Sequence, residues 1–342
     1  MILVTGGAGF IGSHIVDALL ERGHDVRILD SLLEAAHRER PDYLDPRAEL
    51  IEGDVRDPAT IAAALEGVTA VCHQSAMVGL GLDLGDIADY VSHNDLATAQ
   101  LIRALAPSPV PLVLASSMVV YGEGRYRCSE HGVVRPGPRA ASELDAGNFE
   151  PPCPGCGRSL VAESVPEGAP LDPRSVYAAT KLAQEHLSAA YARETGAPVT
   201  ALRYHNVYGP RMPRDTPYAG VASIFRSSLA AGKAPRVFED GGQKRDFVHV
   251  RDVARANVLA LENGTPGAFN VCSGTPRSVG DMAAALARAT EGPEPVITGQ
   301  WRGGDVRHVF ASADNARDVL GFSAVEDFEA GMREFAAAKL RA

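Results

Sequence analysis

A tyrosine and a lysine stand four residues apart in the stretch Tyr177-Ala-Ala-Thr-Lys181. The stretch begins a helical pattern, and this spacing places both side chains on one helical face. Tyrosine has an ordinary pKa of about 10 and is a poor base at neutral pH, but a neighbouring ammonium group favours its phenolate form. The pair therefore predicts a general base, Tyr177, with Lys181 as its partner. A surface pair on a helix is the alternative interpretation.

A pair of serines, Ser116 and Ser117, follows the apolar run Leu112–Ala115. In a parallel sheet, ligands bind at the carboxyl ends of the strands, which is where this pair would lie. A hydroxyl at that edge can hydrogen-bond a substrate oxygen. The alternative is that the serines only cap the strand.

Four soft metal ligands occur in two short motifs, Cys128-Ser-Glu-His131 and Cys153-Pro-Gly-Cys156-Gly157. Four such ligands are the number that a tetrahedral structural zinc requires. The second motif resembles the knuckle of zinc ribbons, in which a glycine lets backbone N–H groups reach the sulfurs. A solvent-exposed loop with free thiols and a Cys-x-x-Cys redox pair remain alternatives.

The elements that must position these groups begin at the first residues. The apolar run Ile2–Val4 is followed by a cluster of glycines and then by a helical pattern, which together predict a strand, a tight turn and a helix N-terminus. Such a turn lets a pyrophosphate approach the backbone, and the helix N-terminus offers free N–H groups to it. A second apolar run ends in Asp30, 18 residues after Gly12. An acid at this place hydrogen-bonds the ribose of NAD and repels the extra phosphate of NADP. Arg38 and Arg40 in the next loop argue mildly for NADP.

Strand and helix patterns alternate from residue 2 to about residue 208. This alternation predicts an α/β fold, a Rossmann-type doubly wound parallel sheet with a smaller C-terminal substrate-binding lobe. We assign residues 1–207 and 245–272 to the NAD-binding domain, and residues 208–244 and 273–342 to the lobe. Residues 123–173, rich in Pro, Gly and charge and without a clear period, form an insert that is expected to be functional.

Composition excludes several classes of function. The chain has 342 residues, of which 45% are hydrophobic, and a formal net charge of −10. This acidic balance argues against nucleic-acid binding. No apolar stretch reaches the about 18 residues of a membrane span, and the strand predicted at residue 2 leaves no room for a signal peptide. We therefore expect a cytoplasmic protein without a disulfide framework.

Five motifs in order carry a resemblance to a known family. They are Thr5-Gly-Gly-Ala-Gly-Phe-Ile-Gly12, Ser116-Ser117 with Tyr121-Gly122, Tyr177-x-x-x-Lys181, Leu202-Arg-Tyr-His-Asn-Val-Tyr-Gly-Pro-Arg211 and Arg245-Asp-Phe-Val-His-Val250. Together they resemble the extended short-chain dehydrogenases that act on nucleotide sugars, the NAD-dependent epimerase/dehydratase family. The resemblance covers nearly the whole chain except the insert.

The resemblance implies a role for each matching position. It makes Ser117, Tyr177 and Lys181 the catalytic residues. The residues that it places around NAD, in addition to Tyr177 and Lys181, are Gly6, Gly9, Phe10, Ile11, Gly12, Asp30, Asp54, Val55 and Asn94. Those that it places around the nucleoside diphosphate sugar, in addition to Ser117, are Asn206, Phe238, Arg245, Arg302 and Asp305, with Phe238 against the base. Arginine suits the phosphate positions because it binds phosphate in a bidentate manner.

The residues after Ser117 bear on the reaction. The 4,6-dehydratases of the family carry Asp-Glu directly after the catalytic Ser or Thr, whereas this chain has Met118-Val119, which cannot transfer protons. A 4-epimerase needs no such pair, because the 4-keto sugar rotates in the site and takes the hydride back on its other face. The sequence thus favours a 4-epimerase. A nucleotide-sugar 4-ketoreductase, a decarboxylase and a non-enzymatic NAD-binding scaffold remain alternatives.

The insert bears on which nucleotide sugar is the substrate. Ser117 and Tyr177 are 60 residues apart, roughly twice the gap of typical relatives, and the insert resembles that of a bacterial subgroup of dTDP-L-rhamnose 4-epimerases. The resemblance therefore implies a dTDP-6-deoxyhexose substrate, with a UDP-glucose/galactose-type epimerase as the alternative. It also implies a homodimer built on a four-helix bundle, which the following apolar residues would suit: Leu96, Leu101, Leu182 and Leu187.

Overall fold

A computed structural model describes residues 1–34, 36–37, 39–79, 84–214 and 220–341. Its centre is a seven-stranded sheet with the strands in the order Gly267–Val271, Val199–Tyr204, Leu112–Ser117, Ala70–His73, Ile2–Thr5, Val26–Asp30 and Glu49–Glu52. All of these strands pair in parallel. The predicted doubly wound α/β sheet is therefore confirmed. Apolar runs predict six of its strands, whereas Gly267–Val271 has no such run; the six runs are Ile2–Val4, Val26–Leu29, Leu50–Glu52, Ala70–Cys72, Leu112–Ala115 and Thr200–Arg203.

Helices cover both faces of this sheet. The helices among the described residues are Phe10–Glu21, Pro58–Ala64, Ile87–Tyr90, Ala97–Leu105, Ala141–Asp145, Val176–Thr195, Val221–Ala230, Val250–Asn263, Val279–Ala289 and Phe328–Ala337, with short 3₁₀ turns at Leu84–Asp86 and Met118–Tyr121 and π-helical turns at Val91–Leu96 and Ala316–Leu320. The sequence pattern predicts a final helix over Ala324–Lys339. The helix starts later, at Phe328, because the Asp327 side chain accepts a hydrogen bond from the Ala330 N–H and caps its N-terminus. None of the described helices is both long and apolar enough to cross a bilayer.

The chain order of the strands places a ligand site. The chain starts at Ile2–Thr5 in the middle of the sheet, winds out to Glu49–Glu52, and then crosses back to Ala70–His73 on the other side of its first strand. The crevice outside the carboxyl ends of these two central strands is the switch point at which doubly wound sheets bind ligands.

Buried side chains form separate cores. One core lies between the sheet and the packed helices Phe10–Glu21 and Val250–Asn263, and it includes Phe322 from the C-terminal part. A core on the opposite face contains Leu101. Leu101 is therefore fully buried within its own chain and cannot contribute to a dimer bundle as expected, whereas Leu96 is exposed. The proposed domain boundaries stay a prediction.

A further core lies beyond the carboxyl edge of the sheet, around Phe225, Met282 and Phe335. Its strands form a small sheet, in the order Asn206–Tyr208, Lys244–His249 and Pro276–Ser278, and a pair, Arg236–Val237 with Val296–Ile297. These elements form a small lobe next to the central sheet.

The insert has more regular structure than its sequence suggested. It forms a three-stranded antiparallel sheet in the order Gly132–Val134, Arg125–Cys128 and Val161–Glu163. Along the chain, the helix Ala141–Asp145 lies between the second and the third of these strands. The strands are only three or four residues long, so no period could show in the sequence. Cys153 and Cys156 lie in the loop closed by a bridge between Pro152 and Ser159.

Candidate active site

The glycine turn after the first strand shapes one end of a cleft of about 450 Å³. Gly6 has a left-handed backbone (φ +67°), and a Cβ on Gly12 would lie 2.1 Å from the main-chain oxygen of Gly6, so neither position accepts a side chain. The helix Phe10–Glu21 starts after Gly9 with no side chain capping its N-terminus. Its free N–H groups therefore point into a cradle that a pyrophosphate fits.

The predicted cofactor residues largely line this cleft, which is called the cofactor cleft below. Those that line it are Gly6, Gly9, Phe10, Ile11, Gly12, Asp30, Asp54, Val55, Tyr177 and Lys181. Asn94 does not. It is fully buried, and its amide instead accepts from the Met77 N–H at 2.7 Å and donates to Thr180 Oγ1 at 2.9 Å. Because Met77 lines the cleft, Asn94 ties the cleft wall to the helix that carries Tyr177.

Asp30 holds the neighbouring backbone in place and also lines the cofactor cleft. Its carboxylate accepts from the N–H groups of Ala8 and Leu32, both at 3.0 Å, which fixes the glycine turn. A carboxylate has about four acceptor sites, so capacity remains for a ribose. Arg40 forms an ion pair with Glu52 at 3.3 Å and does not line the cleft, and Arg38 lies outside the described residues.

Removing the charge of Asp30 should change the choice of cofactor. In Asp30→Asn, the repulsion of a ribose phosphate disappears and two charge-assisted hydrogen bonds weaken. We expect the ratio of bound NAD to bound NADP to fall by about tenfold or more after incubation with equal amounts of both. The cofactors released by acid are measured by chromatography. Glu52→Gln is the matched control, since Glu52 pairs with Asp30 in the sheet but faces solvent. An unchanged ratio in Asp30→Asn would remove Asp30 from cofactor selection.

The three candidate catalytic residues come from two neighbouring elements. Ser117 ends the strand Leu112–Ser117, and Tyr177 and Lys181 lie in the first turns of the helix Val176–Thr195. The Ser117 hydroxyl is hydrogen-bonded to the Tyr177 side chain. Lys181 Nζ lies 5.9 Å from the Tyr177 ring centroid and donates to the main-chain oxygen of Ala115 at 2.9 Å. The structure therefore brings these three side chains together at the carboxyl edge of the sheet.

Burial dominates the electrostatics of this group. It raises the pKa of Tyr177, against a smaller opposing effect of the hydrogen bond with Ser117. It lowers the pKa of Lys181 to about 7, and the nearby Asp95 and Glu185 carboxylates oppose this shift. Both directions favour the uncharged forms. Tyr177 and Lys181 thus place a phenol and an amine where they can exchange protons with a bound hydroxyl.

Ser116 has a different role from Ser117. Its hydroxyl is hydrogen-bonded to Glu185, which also forms an ion pair with Arg203 at 2.8 Å. These side chains are nearly excluded from solvent, and their polar atoms bond to one another. Ser117 is thus the serine whose hydroxyl faces the tyrosine.

The predicted nucleotide-sugar residues lie on the lobe side. The Arg302 guanidinium lies over the Phe238 ring, 5.1 Å from its centroid, and pairs with Asp305 at 3.1 Å. Arg245 donates to the main-chain oxygens of residues 306 and 307, next to Asp305. Asn206 pairs in register with Phe247, two residues from Arg245, and its Oδ1 is buried without a hydrogen-bond partner. Such an orphaned acceptor suits a ligand donor.

Sequence reasoning missed a set of charged residues that joins the insert to the lobe. Arg139 of the insert forms an ion pair with Glu239 at 2.8 Å, and Arg307 pairs with the same carboxylate at 2.9 Å. Arg307 and His308 also contact Glu150 of the insert. The side chains of Arg139, Glu239 and Arg307 are almost entirely buried. Nothing in the sequence distinguishes them from surface charges, because their partners lie far away along the chain.

The four soft ligands of the insert converge on one point. Their ligand atoms all lie within 4.8 Å of one another. Cys128 Sγ is 3.7 Å from Cys156 Sγ and 3.6 Å from His131 Nδ1, and Cys153 Sγ is 3.5 Å from the same nitrogen. A Cβ on Gly155 would lie 3.0 Å from the His131 ring, which explains a glycine there.

Comparisons with known proteins agree with this geometry. The model of the NAD dependent epimerase/dehydratase family matches residues 2–140 and 154–272, and the gap between these segments falls in the insert. The chain is 34% identical to dTDP-L-rhamnose 4-epimerase of Burkholderia thailandensis, over 97% of this chain and 93% of that protein.

Solved structures give the same result. UDP-glucose 4-epimerase of Thermotoga maritima with UDP-glucose has a TM-score of 0.81 and 29% identity, over 98% of this chain and 97% of that one. UDP-glucose 4-epimerase of Thermus thermophilus in complex with NAD has a TM-score of 0.78 and 30% identity over the same shares, 98% and 97%. With its five ordered motifs, its glycine cradle and a family match over most of its length, the chain belongs to the NAD-dependent epimerase/dehydratase family.

Proposed function

We propose that this protein is an NAD-dependent nucleotide-sugar 4-epimerase. The observation that carries the proposal is the pair Tyr177 and Lys181, which line the cofactor cleft from one helix, with Ser117 next to the tyrosine. The relatives that support it include 4-epimerases of both dTDP- and UDP-sugars.

The residues of the chain divide the work as follows. Tyr177 takes the proton of the sugar C4 hydroxyl, and Ser117 hydrogen-bonds the same oxygen while it becomes a carbonyl. Lys181, in its protonated form, favours the phenolate form of Tyr177. The residues that line the cofactor cleft would hold NAD, which would supply a reversible hydride acceptor for C4. After the 4-keto sugar has rotated in the site and its other face has taken back the hydride, Tyr177 returns the proton and the opposite C4 epimer results.

The segment after Ser117 supports epimerisation rather than dehydration. Met118–Tyr121 forms a 3₁₀ turn, and Met118 packs against the small apolar cluster of Val120, Tyr121 and Val165. An apolar side chain fixed in this way offers no acid or base at the place where a dehydratase needs one. This arrangement argues against loss of water from a 4-keto sugar and favours return of the hydride.

For the substrate we propose a dTDP-6-deoxyhexose such as dTDP-L-rhamnose. The relative from Burkholderia thailandensis, named for this substrate, aligns with the chain almost end to end. UDP-glucose 4-epimerases align over similar lengths at 27% and 29% identity, and a putative one at 31%, so a UDP-hexose is the alternative.

Proton NMR in D2O tests both levels of the proposal. Purified protein is incubated with dTDP-L-rhamnose, and separately with UDP-galactose, without added cofactor. We expect a new C4 epimer of the dTDP sugar that carries protium at C4, because the hydride returns directly. Conversion of the UDP sugar alone would keep the reaction and reject the substrate. Deuterium at C4, or a need for added reduced nicotinamide and a keto sugar, would reject the epimerase in favour of other chemistry.

We further propose that Cys128, His131, Cys153 and Cys156 hold a structural zinc ion. With zinc–sulfur bonds of about 2.3 Å and zinc–nitrogen bonds of about 2.1 Å, tetrahedral ligands lie about 3.8 Å apart for two sulfurs and about 3.6 Å apart for a sulfur and a nitrogen. The three separations in the insert, between 3.5 and 3.7 Å, agree with these values.

The surroundings of the sulfurs also fit a metal. The N–H groups of Glu130 and His131 donate to Cys128 Sγ, and those of Gly155 and Cys156 donate to Cys153 Sγ. Such amide donors stabilise thiolates, which are the form that binds zinc. A metal would hold together an insert whose strands are too short to build a core of their own. The cytoplasmic location and the homodimer stay predictions.

A further inference from the structure

A shallow cleft lies between the insert and the lobe. On one side it is lined by Leu144 and Asp145, at the end of the insert helix Ala141–Asp145, and on the other by Phe238, Trp301 and Arg302. We call it the base cleft. It is separate from the cofactor cleft, with which it shares no lining residue.

Specific contacts fix the insert against the lobe at this cleft. Trp301 Nε1 donates to Asp145 Oδ1 at 3.0 Å. Arg139, two residues before the insert helix, donates to Glu239 at 2.8 Å and to the main-chain oxygen of Asp305 at 2.8 Å. The Trp301–Asp145 hydrogen bond is exposed, whereas the Arg139–Glu239 ion pair is almost entirely buried, and a buried charge-assisted contact of this kind holds one geometry. The insert wall is therefore positioned by the fold and does not hang free.

The backbone that carries Phe238 depends on the same contacts. Glu239, the next residue, has a left-handed backbone (φ 54°), which is unfavourable for a residue with a Cβ. Its carboxylate is held by Arg139 on one side and Arg307 on the other. An arginine of the insert thus helps to set the position of the Phe238 ring.

The chemistry of the cleft indicates its occupant. The flat Arg302 guanidinium lies over one face of the Phe238 ring, so a base that stacks on this ring takes the opposite face or replaces the guanidinium. Nucleobases stack on aromatic rings in the same way. Arg302, Asp305 and the neighbouring Arg245 supply partners for phosphate and ribose close by.

We propose that the insert is one wall of the nucleobase subsite, and that the pyrimidine of a nucleoside diphosphate binds between Leu144 of the insert and Phe238 of the lobe. This inference rests on the proposed function, which makes the substrate a nucleotide sugar. It assigns to the insert a direct part in binding the base, through Leu144 and through Trp301 held by Asp145.

The chain contains one tryptophan, Trp301, and this residue reports on the cleft directly. Titration of the full protein with dTDP should change its intrinsic fluorescence, whereas pyrophosphate, which lacks a base, should not. Leu144→Ala should weaken dTDP binding by about tenfold, because about three carbon atoms of contact surface are lost, and should leave pyrophosphate binding unchanged. Both affinities are measured by calorimetry.

Two further variants make the test decisive. Trp301→Phe loses the N–H that is donated to Asp145 and should also weaken dTDP binding. This variant keeps the proposal testable where Leu144→Ala does not fold. Val161→Ala changes an exposed apolar residue of the insert outside the cleft and should have no effect. Equal dTDP affinity in wild type, Leu144→Ala and Trp301→Phe would overturn the wall and leave the proposed function intact. Absence of any binding of dTDP and UDP to the wild type would overturn both.

Discussion

Replacing Tyr177 with phenylalanine should lower kcat for epimerisation by about 10²- to 10⁴-fold, the usual contribution of a positioned general base. The Ser117 hydroxyl lies next to the Tyr177 side chain, and Lys181 Nζ lies beside the tyrosine ring. Phenylalanine keeps the ring and removes only the atom that exchanges the proton. The fold and the content of bound NAD should therefore persist. Turnover is followed by NMR, and NAD by acid release and chromatography.

A matched change on the same helix separates chemistry from packing. Tyr191 is buried far along the helix Val176–Thr195, and its hydroxyl bonds only to the main chain of Val110. Tyr191→Phe should lower the free energy of unfolding by about 1 kcal/mol and change kcat less than threefold. If Tyr177→Phe kept more than a tenth of wild-type turnover, Tyr177 would not be the base.

The parts of the fold that sequence predicted are those with a local signal. Strands such as Ile2–Thr5 and Leu112–Ser117 are continuous buried runs, as expected for a sheet covered on both faces. The strand Gly267–Val271 was missed because a glycine and a buried asparagine interrupt its apolar pattern. Asn270 is stable there only through partners distant in sequence, including the Tyr121 hydroxyl, which donates to it at 2.7 Å.

The candidate site divides along the same line. Local spacing in the sequence was enough to predict the geometry of the glycine turn with Asp30 and of the Tyr177–Lys181 pair. The structure brings these groups to one cleft. The two cysteine motifs are separated by more than twenty residues, yet short motif spacing was enough to predict that they converge. The ion pair of Arg139 with Glu239 joins residues 100 positions apart and has no local pattern. Its charges look like solvent-exposed ones until the fold excludes water from them.

The insert offers the second large expected effect, on metal content. Wild-type protein purified without chelators should contain about one zinc ion per chain, because a closed site of four Cys and His ligands binds zinc tightly. Cys153→Ser removes a thiolate that is only 2% exposed and replaces it with a poor zinc ligand. Zinc content, measured by mass spectrometry of the metal, should fall below about a tenth of an ion per chain. Without its metal the insert should become sensitive to proteolysis between residues 123 and 173, while the central sheet stays protected.

Cys272→Ser is the matched control, since Cys272 is buried next to the central sheet and lies outside the cluster. It should keep its zinc, and its insert should resist proteolysis like that of the wild type. A wild-type protein that neither contains zinc nor takes up added Zn²⁺ would contradict the site. A disulfide between Cys153 and Cys156 in the purified protein would instead support a redox pair. Cys153 and Cys156 are both free thiols in the structure, and the separations that join the two motifs match the edges of a zinc tetrahedron, so we expect the metal.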